Sequence, residues 1–272
     1  MTQFSTADFL VGAVASLGAV AVLQGLTFGV ALRVGRHSVV DVTWGAGFAV
    51  VAAVSWALSL GTGGDLRRTV VLVLTASWGL RLAGHIALRA RHHRGEDPRY
   101  VELLDRAQAR GVSRTWYAVT RIYATQAVSL WFISLPVQVA MFTRGGLGAL
   151  GALGVLVWAV GLFFEAVGDY QLTRFRNDPT TSGRVLDTGL WRYTRHPNYF
   201  GDACVWWGLS LIAFARFPGI LTIASPILMT YLLARGTGAK LLESTIGDRR
   251  AGYVDYVRST SGFVPLPPRK VA

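Results

Sequence analysis

Long apolar runs separated by short polar connections dominate the chain. A helix needs about 20 apolar residues to cross the hydrocarbon core of a bilayer. Seven runs are candidates: residues 7–32, 39–60, 69–88, 116–142, 147–168, 199–217 and 218–234. Pro136 falls inside the fourth run and predicts a kink there. The last two runs are short and meet at Pro218–Gly219, a turn dipeptide. The first run has no basic lead and is too long for a cleaved signal, so it is expected to be a retained membrane helix. The pattern predicts an all-α, polytopic membrane helix bundle with about seven transmembrane helices. No repeat or separable soluble stretch interrupts it, and residues 1–272 are expected to form a single integral membrane domain.

The polar connections are read next. Residues 89–115 contain ELLDRAQARG, the pattern of a short interfacial helix. Residues 169–198 are expected as a loop. Residues 235–272 are expected as a tail, with a helix around 240–256 and an extended end at VPLPP.

Composition supports the membrane reading. The chain is 52% hydrophobic and only 15% charged, where a soluble domain carries about a quarter charged residues. Its net charge of +12 would suggest nucleic acid in a soluble protein, but no groove-reading motif accompanies it. The basic residues follow membrane topology instead. Twenty-one lie at one end of the predicted bundle, against Arg67, Arg68, Arg144 and Arg216 at the other. Positive residues stay cytoplasmic, so the N-terminus is expected outside and the C-terminus inside. On that orientation the three connections 89–115, 169–198 and 235–272 gather at the cytoplasmic end. Cys204, the one cysteine, has no partner for an intrachain disulfide and reads as a small packed hydrophobe.

Ionisable side chains inside the runs are costly and mark partners or cavities. Asp41 begins the second run. Arg81 and His85 share a face of the third, Arg121 lies in the fourth, and Glu165 precedes Asp169 by one turn near the end of the fifth. Two readings stay open for them. One is an internal ion-pair network, for instance Asp41 with Arg81 or Arg121. The other is a pocket that opens to the cytoplasm.

Residues 165–202 concentrate the polar chemistry. Arg174, Arg176, Arg184, Arg192 and Arg195 offer planar forks that suit phosphate and pyrophosphate. Asn177 and Asn198 can donate and accept, and Asp169, Asp187 and Asp202 can accept from hydroxyls. Pro197 holds His196 extended and allows a helix to start beside Asn198, which would turn a helix N-terminus toward the arginines. This set describes a site for a phosphorylated, nucleotide-like ligand. No metal is expected, because His92, His93 and His196 lack ligand spacing. No GxGxxG follows a strand, and neither a phosphate-loop motif nor a nucleophile elbow is present.

LWRYTRHPNYFGD closely resembles the signature of the steroid 5-alpha-reductase and sterol-reductase superfamily. The chain as a whole looks like its bacterial DUF1295 branch. The resemblance runs through DVTWG at 41–45, WGLRL at 78–82, GEDPRY at 95–100, GDYQLTRFRNDP at 168–179 and DTGLWRYTRHPNYFGD at 187–202. It continues in LLE and in YVDYVRSTSGFVPLPP. It implies an integral reductase of the bacterial inner membrane with its active site toward the cytoplasm. Such an enzyme takes NADPH and reduces an activated carbon–carbon double bond in a lipid drawn from the bilayer.

Position by position, Asp169, Arg176 and Asn198 match the family's cofactor region. Tyr193, His196, Tyr199 and Asp202 lie in the same block, and Arg94 falls in the stretch that covers the adenosine phosphates. With Glu165, Arg174, Asn177, Arg184, Arg195, Glu243, Tyr253 and Tyr256 they form the expected cofactor set. The family's Gln-Glu pair in span two and its tyrosine in span three are absent. Asp41, Arg81 and His85 are therefore the candidates for polarising the carbonyl and delivering the proton.

The C-terminal half also resembles isoprenylcysteine and phospholipid methyltransferases, which bind S-adenosylmethionine. HPNYFGD and the arginine-rich loops favour the reductase reading. A non-catalytic lipid-binding protein is the third reading. Substrate identity and oligomeric state stay open.

Overall fold

The computed structural model describes residues 4–91, 95–236 and 252–269, and among these it is all-helical, with no strand beyond two isolated bridges. Arg94 and Glu243 of the expected cofactor set lie outside the described residues. The chain divides into two compact units: residues 1–148 with 213–222, and residues 149–212 with 223–272.

The first unit holds α1 (Thr6–Val34), α2 (Val39–Leu58), α3 (Asp65–Arg91), α4 (Pro98–Ala109), α5 (Arg114–Ile133) and α6 (Leu135–Met141). The side chain of Ser5 accepts from the backbone of Asp8 to start α1, and Gly35 ends it at φ 71° while donating to the Ala31 carbonyl. α2 and α3 meet through glycine. A Cβ on Gly45 would stand 2.5 Å from the Gly79 carbonyl oxygen, so only glycine allows this approach. Phe48 and Trp78 pack beside the crossing at 5.5 Å between ring centroids. Polar groups inside the bundle bridge neighbouring helices, as hydrocarbon demands. Ser16 and Ser55 join α1 to α2 at 3.2 Å, and Trp131 donates to the Ala13 carbonyl at 2.9 Å.

The kink predicted at Pro136 is present: α5 and α6 bend by 45° at Ser134. Ser134 Oγ donates to the Trp131 carbonyl, and Gln138 Nε2 donates to Ser134 Oγ, so the break recovers its bonds from side chains. α5 also carries a π-helical segment at Ala118–Tyr123.

Arginines at the sparse end of the charge pattern are structural. Arg67 and Arg68 are buried. Arg67 donates to the Gly146 carbonyl at 2.6 Å, Arg68 to the Trp56 carbonyl at 3.0 Å, and Arg144 to the Thr62 carbonyl at 3.1 Å. Arg68 also lies over the Trp56 ring.

The second unit is built on α7 (Gly148–Asn177) and α8 (Pro197–Phe214), with the shorter α9 (Ala224–Tyr231) and α10 (Tyr253–Ser259). α8 starts at Pro197, as its sequence predicts. The expected loop at 169–198 is corrected in its first part, because α7 runs on to Asn177. Polarity there does not end the helix, which continues until Pro179 cannot extend it. Residues 218–234 form a 3-10 turn, α9 and a π-helical end in place of one regular helix.

Among the described residues, four helices (α1, α2, α3 and α7) are long and apolar enough to cross a membrane, and α5 with α6 would make a fifth as one bent span.

Candidate functional site

In the second unit, glycine decides which side chains meet. Gly154, Gly161 and Gly168 recur every seven residues on α7 and lie against Gly208, Gly201 and Asn198 of α8. A Cβ on Gly161 would stand 2.6 Å from both the Gly201 carbonyl oxygen and the Val205 amide nitrogen. The two backbones therefore touch, as at small-residue crossings in membranes. This contact brings Glu165 and Asp169 of α7 to the same end as Asn198 and Asp202 of α8. Glu165, Asp169 and Asp202 are buried. Asn198 Nδ2 donates to Asp169 Oδ1 at 3.1 Å, and Asn198 Oδ1 accepts from the Tyr199 amide at 3.1 Å. Both ends of the amide are thus assigned, and its orientation follows from its partners. The His196 and Tyr199 rings stack at 5.5 Å with 6° between planes.

The loop after α7 is tied back to it. Gln171 Oε1 accepts from the Leu190 amide, and Trp191 Nε1 donates to the Gly168 carbonyl. The tail then clamps the loop. Arg195 donates to the carbonyls of Val257 in α10 at 3.1 Å and of Thr260, the residue that caps it, at 2.7 Å. Tyr256 Oη donates to the Trp191 carbonyl at 2.6 Å, Thr194 Oγ1 to the Phe263 carbonyl, and the Leu266 amide to the Tyr193 carbonyl. Tyr253 is buried beside Tyr256. The structure therefore shows Arg195 and Tyr256 in contacts that hold the tail.

Between this loop and the tail lies a hollow of about 510 Å³, lined by Arg184, Asp187, Arg192, Asp255, Tyr256 and Ser259 among others. A second hollow of about 290 Å³ is lined by Arg176, Asp178 and Ser182 and shares Gly183 with the first. Arg174, Arg176, Asn177 and Arg184 are exposed, and Tyr193 is too. Of the residues expected to surround a cofactor, Arg176, Arg184 and Tyr256 line these hollows. Asn198 and Asp202 line neither and stand in the α7–α8 contact. Arg192, Asp187 and Asp255 complete the larger hollow. Arg192 and Asp187 belong to the polar block already apparent in the sequence, whereas only the packing of the tail adds Asp255.

The first unit holds the other expected group. Asp41, at the start of α2, accepts from Tyr100 Oη at 2.5 Å and from Arg99 at 2.9 Å. These are neither of the partners, Arg81 and Arg121, that the sequence suggested. Arg81 and His85 are half-buried one turn apart on α3, and Arg121 is exposed. Asp97 caps α4 by accepting from the Arg99 amide, with Pro98 in the first turn. Glu96 accepts from the backbone amides of His37, Ser38 and Asp97, so GEDPRY closes over the N-terminus of α2. Tyr100 and Glu96 were missed as individual residues. An acid before Asp-Pro at a helix start was the signal.

The electrostatics fit an anchor. Burial, then the neighbouring Asp41 carboxylate, raises the Tyr100 ionisation well above its usual value and keeps the hydroxyl protonated. The Asp97 hydrogen bond raises that of Arg99. Burial opposes ionisation of Asp97, but bonds from the Arg99 side chain and backbone outweigh it and lower its pKa. His37 bonds Tyr123 Oη at 3.2 Å, and burial lowers its pKa despite Glu96. A depressed histidine makes the unfolded state bind more protons, so stability falls as pH drops below about 6.5, the ordinary histidine value. Asp97 adds a second loss at lower pH, below its own ordinary value. The melting temperature is therefore expected to fall between pH 7 and pH 5, and to fall less in His37→Gln. An equal slope in both proteins would exclude His37 as the cause.

Among the described residues, no group of His, Cys, Asp and Glu could hold a metal ion.

A family profile described as "Protein of unknown function (DUF1295)" matches residues 27–260. An uncharacterized protein, C594.04c, of Schizosaccharomyces pombe (strain 972 / ATCC 24843) is 24% identical over 235 residues, covering 75% of this chain. The chain spans 64% of that relative's length. No solved structure matches significantly.

Proposed function

The chain belongs to the DUF1295 family, and from that premise we propose that it is an NADPH-dependent membrane reductase of a carbon–carbon double bond in a lipid. The observation that carries the reading is the pair of adjoining hollows that present Arg176, Arg184 and Arg192 at the polar end of α7. Their donor set suits a dinucleotide. Three guanidinium forks can hold diphosphate and ribose phosphate, and Asp187 and Asp255 can accept from ribose hydroxyls. The larger hollow is within the usual range for ligand sites, about 300–1,000 Å³. When bound, NADPH would supply the hydride.

The protein's own residues would bind and orient. The Asn198–Asp169 bond and the Trp191 and Gln171 ties keep the loop rigid beneath the hollow. Arg195 and Tyr256 hold the tail that forms its other wall. Asp41, Arg81 and His85 are the candidates for polarising a lipid carbonyl. Asp41 already accepts from Tyr100 and Arg99, so Arg81 and His85 are the first to substitute.

The same reading includes seven spans, an external N-terminus and a cytoplasmic C-terminus, supported by the distribution of arginine and lysine. It places the protein in a bacterial inner membrane.

Ligand-induced stabilisation of the purified protein in nanodiscs tests the proposal. NADPH is expected to raise the melting temperature. Arg184→Ala with Arg192→Ala is expected to weaken binding at least about tenfold, since hydrogen bonds to charged groups contribute about 1.5–3 kcal/mol each. Stabilisation by S-adenosylmethionine alone would make the protein a methyltransferase. A response to neither ligand would leave lipid binding without catalysis.

A further inference from the structure

Arg121 of α5 is exposed and has no hydrogen-bond or ion-pair partner among the described residues. The acids of the neighbouring α4 are taken by other arginines. Glu102 accepts from Arg106, Asp105 from Arg114, and the capping Asp97 from Arg99. The outward direction of Arg121 is set by packing. Ala118, Ile122 and Tyr123 of the same π-helical segment are buried in a cluster with Tyr100 and Leu104 of α4, Ala31 of α1 and Val40 of α2. With that face held, the residue just before Ile122 faces out. Two hydroxyls brace the backbone here. Thr120 Oγ1 donates to the Trp116 carbonyl at 2.8 Å, and Thr125 Oγ1 to the Thr120 carbonyl at 3.3 Å.

The same cluster fixes the level of Arg121. Ala31 lies three residues before the end of α1, and Val40 is the second residue of α2. Both helices are long and apolar enough to cross a membrane. Arg121 therefore stands where these helices end, the level at which a span meets lipid headgroups. Trp116, 65% exposed, is an aromatic of the kind that lies at that boundary. From Arg121 the exposed face of α5 continues toward α6 through Ala124, Thr125 and Val128, a mostly apolar path for a chain of hydrocarbon.

We propose that Arg121 holds the phosphate of one bound anionic phospholipid, with an acyl chain lying along Ala124, Thr125 and Val128. The guanidinium fork matches two phosphate oxygens, and the acids of α4, already matched, do not compete for it. A headgroup of net negative charge is favoured over phosphatidylcholine, whose own ammonium offsets its phosphate. The site goes beyond the proposed reduction and rests only on the reading of α5 with α6 as one membrane span.

The test uses full-length protein in nanodiscs of phosphatidylcholine mixed with phosphatidylglycerol. Lipids retained on the released protein are counted by native mass spectrometry. Wild type is expected to keep one phosphatidylglycerol, enriched about tenfold over phosphatidylcholine, as a charge-assisted contact provides. Arg121→Gln should lose that enrichment and melt as wild type does in pure phosphatidylcholine. Arg121→Lys should keep part of it, because the charge remains and the fork does not. Arg33→Gln is the control, since Arg33 is exposed in the last turn of α1 at the same end. It should change the enrichment by no more than about twofold. Enrichment that survives in Arg121→Gln, or an equal loss in Arg33→Gln, overturns the proposal. So does a lower melting temperature of Arg121→Gln in phosphatidylcholine, which would make the arginine structural. Stabilisation by glycerol 3-phosphate equal to that by phosphatidylglycerol would mark a free phosphate and sink the lipid site. NADPH binding is read in the same samples. Its absence with intact enrichment would sink the reductase and spare this site, and the reverse result would sink this site alone. A chain that does not enter nanodiscs would sink the span reading and this site with it.

Discussion

Gly161→Leu is expected to abolish folding of the second unit, with little or no monodisperse protein recovered in detergent. The cause is geometric. At this crossing the backbones of α7 and α8 are in contact, and a Cβ at Gly161 would stand 2.6 Å from a carbonyl oxygen and an amide nitrogen of α8. Neither is the movable end of a side chain. The clash is mirrored at Gly201, whose Cβ would stand 2.5 Å from the Gly161 carbonyl oxygen, and at Gly208, where it would stand 2.6 Å from that of Gly154. Overpacking typically costs about 1–3 kcal/mol where side chains can adjust. Here whole helices must separate, so a loss above that range is expected. Gly84→Leu is the control. Gly84 is exposed, lies within α3 and has nothing within 4 Å of its Cβ position. That variant should fold with unchanged or higher stability, because leucine is the better helix former. Size-exclusion profiles and thermal melts of both proteins decide the matter. A well-folded Gly161→Leu would refute the close approach and, with it, the placement of Glu165 and Asp169 beside Asn198 and Asp202.

Arg195→Ala should release the tail while the helices stay folded. The guanidinium bonds the carbonyls of Val257 and Thr260, and the Arg195 amide donates to the Ser261 carbonyl at 2.9 Å. Substitution leaves the backbone bond and removes the side-chain pair. Two charge-assisted bonds contribute about 3 kcal/mol or more between them. α10 has seven residues, too few to persist without docking. Trypsin should then cut rapidly at Arg258 and Arg269, and amides from Tyr253 to Thr260 should exchange faster. Arg195→Lys is expected to rescue only part of the effect, because an ammonium cannot reproduce the planar fork. Since Asp255, Tyr256 and Ser259 form a wall of the larger hollow, NADPH affinity should fall in parallel. Unchanged proteolysis in Arg195→Ala would show that Tyr256 and the backbone bonds suffice.

These two residues show what could be read in advance. Only Arg195 lies in the polar block at 165–202 that the sequence singled out, and the role of each depends on a distant partner. Gly161 is one glycine in an apolar run, and nothing in its neighbours says that it faces Gly201, 40 positions away. Arg195 reads as a phosphate donor by residue type, which is how an arginine in a polar loop is first understood. Its carbonyl partners lie more than 60 residues further on. Asp41 gives the same lesson. Its cost within a membrane helix required a partner, but two arginines on the neighbouring spans were the natural choices. The partners are Arg99 and Tyr100 of the short helix α4. ELLDRAQARG made this helix legible, yet the caps in GEDPRY that start it and its docking onto α2 were not read.

By itself, the sequence determined that this protein is helical with several runs long and apolar enough to cross a membrane, that the chain bends at Pro136, and where its polar chemistry concentrates. Those properties follow from hydrophobic run length, proline geometry and the cost of charge in hydrocarbon, all of which act locally along the chain. Only the tertiary structure decided that α7 continues to Asn177, that Asp169 bonds Asn198, and that the tail closes over the loop. Each of these depends on which backbones can approach and which donors then find acceptors. Contact between distant segments settles that, and no local pattern encodes it.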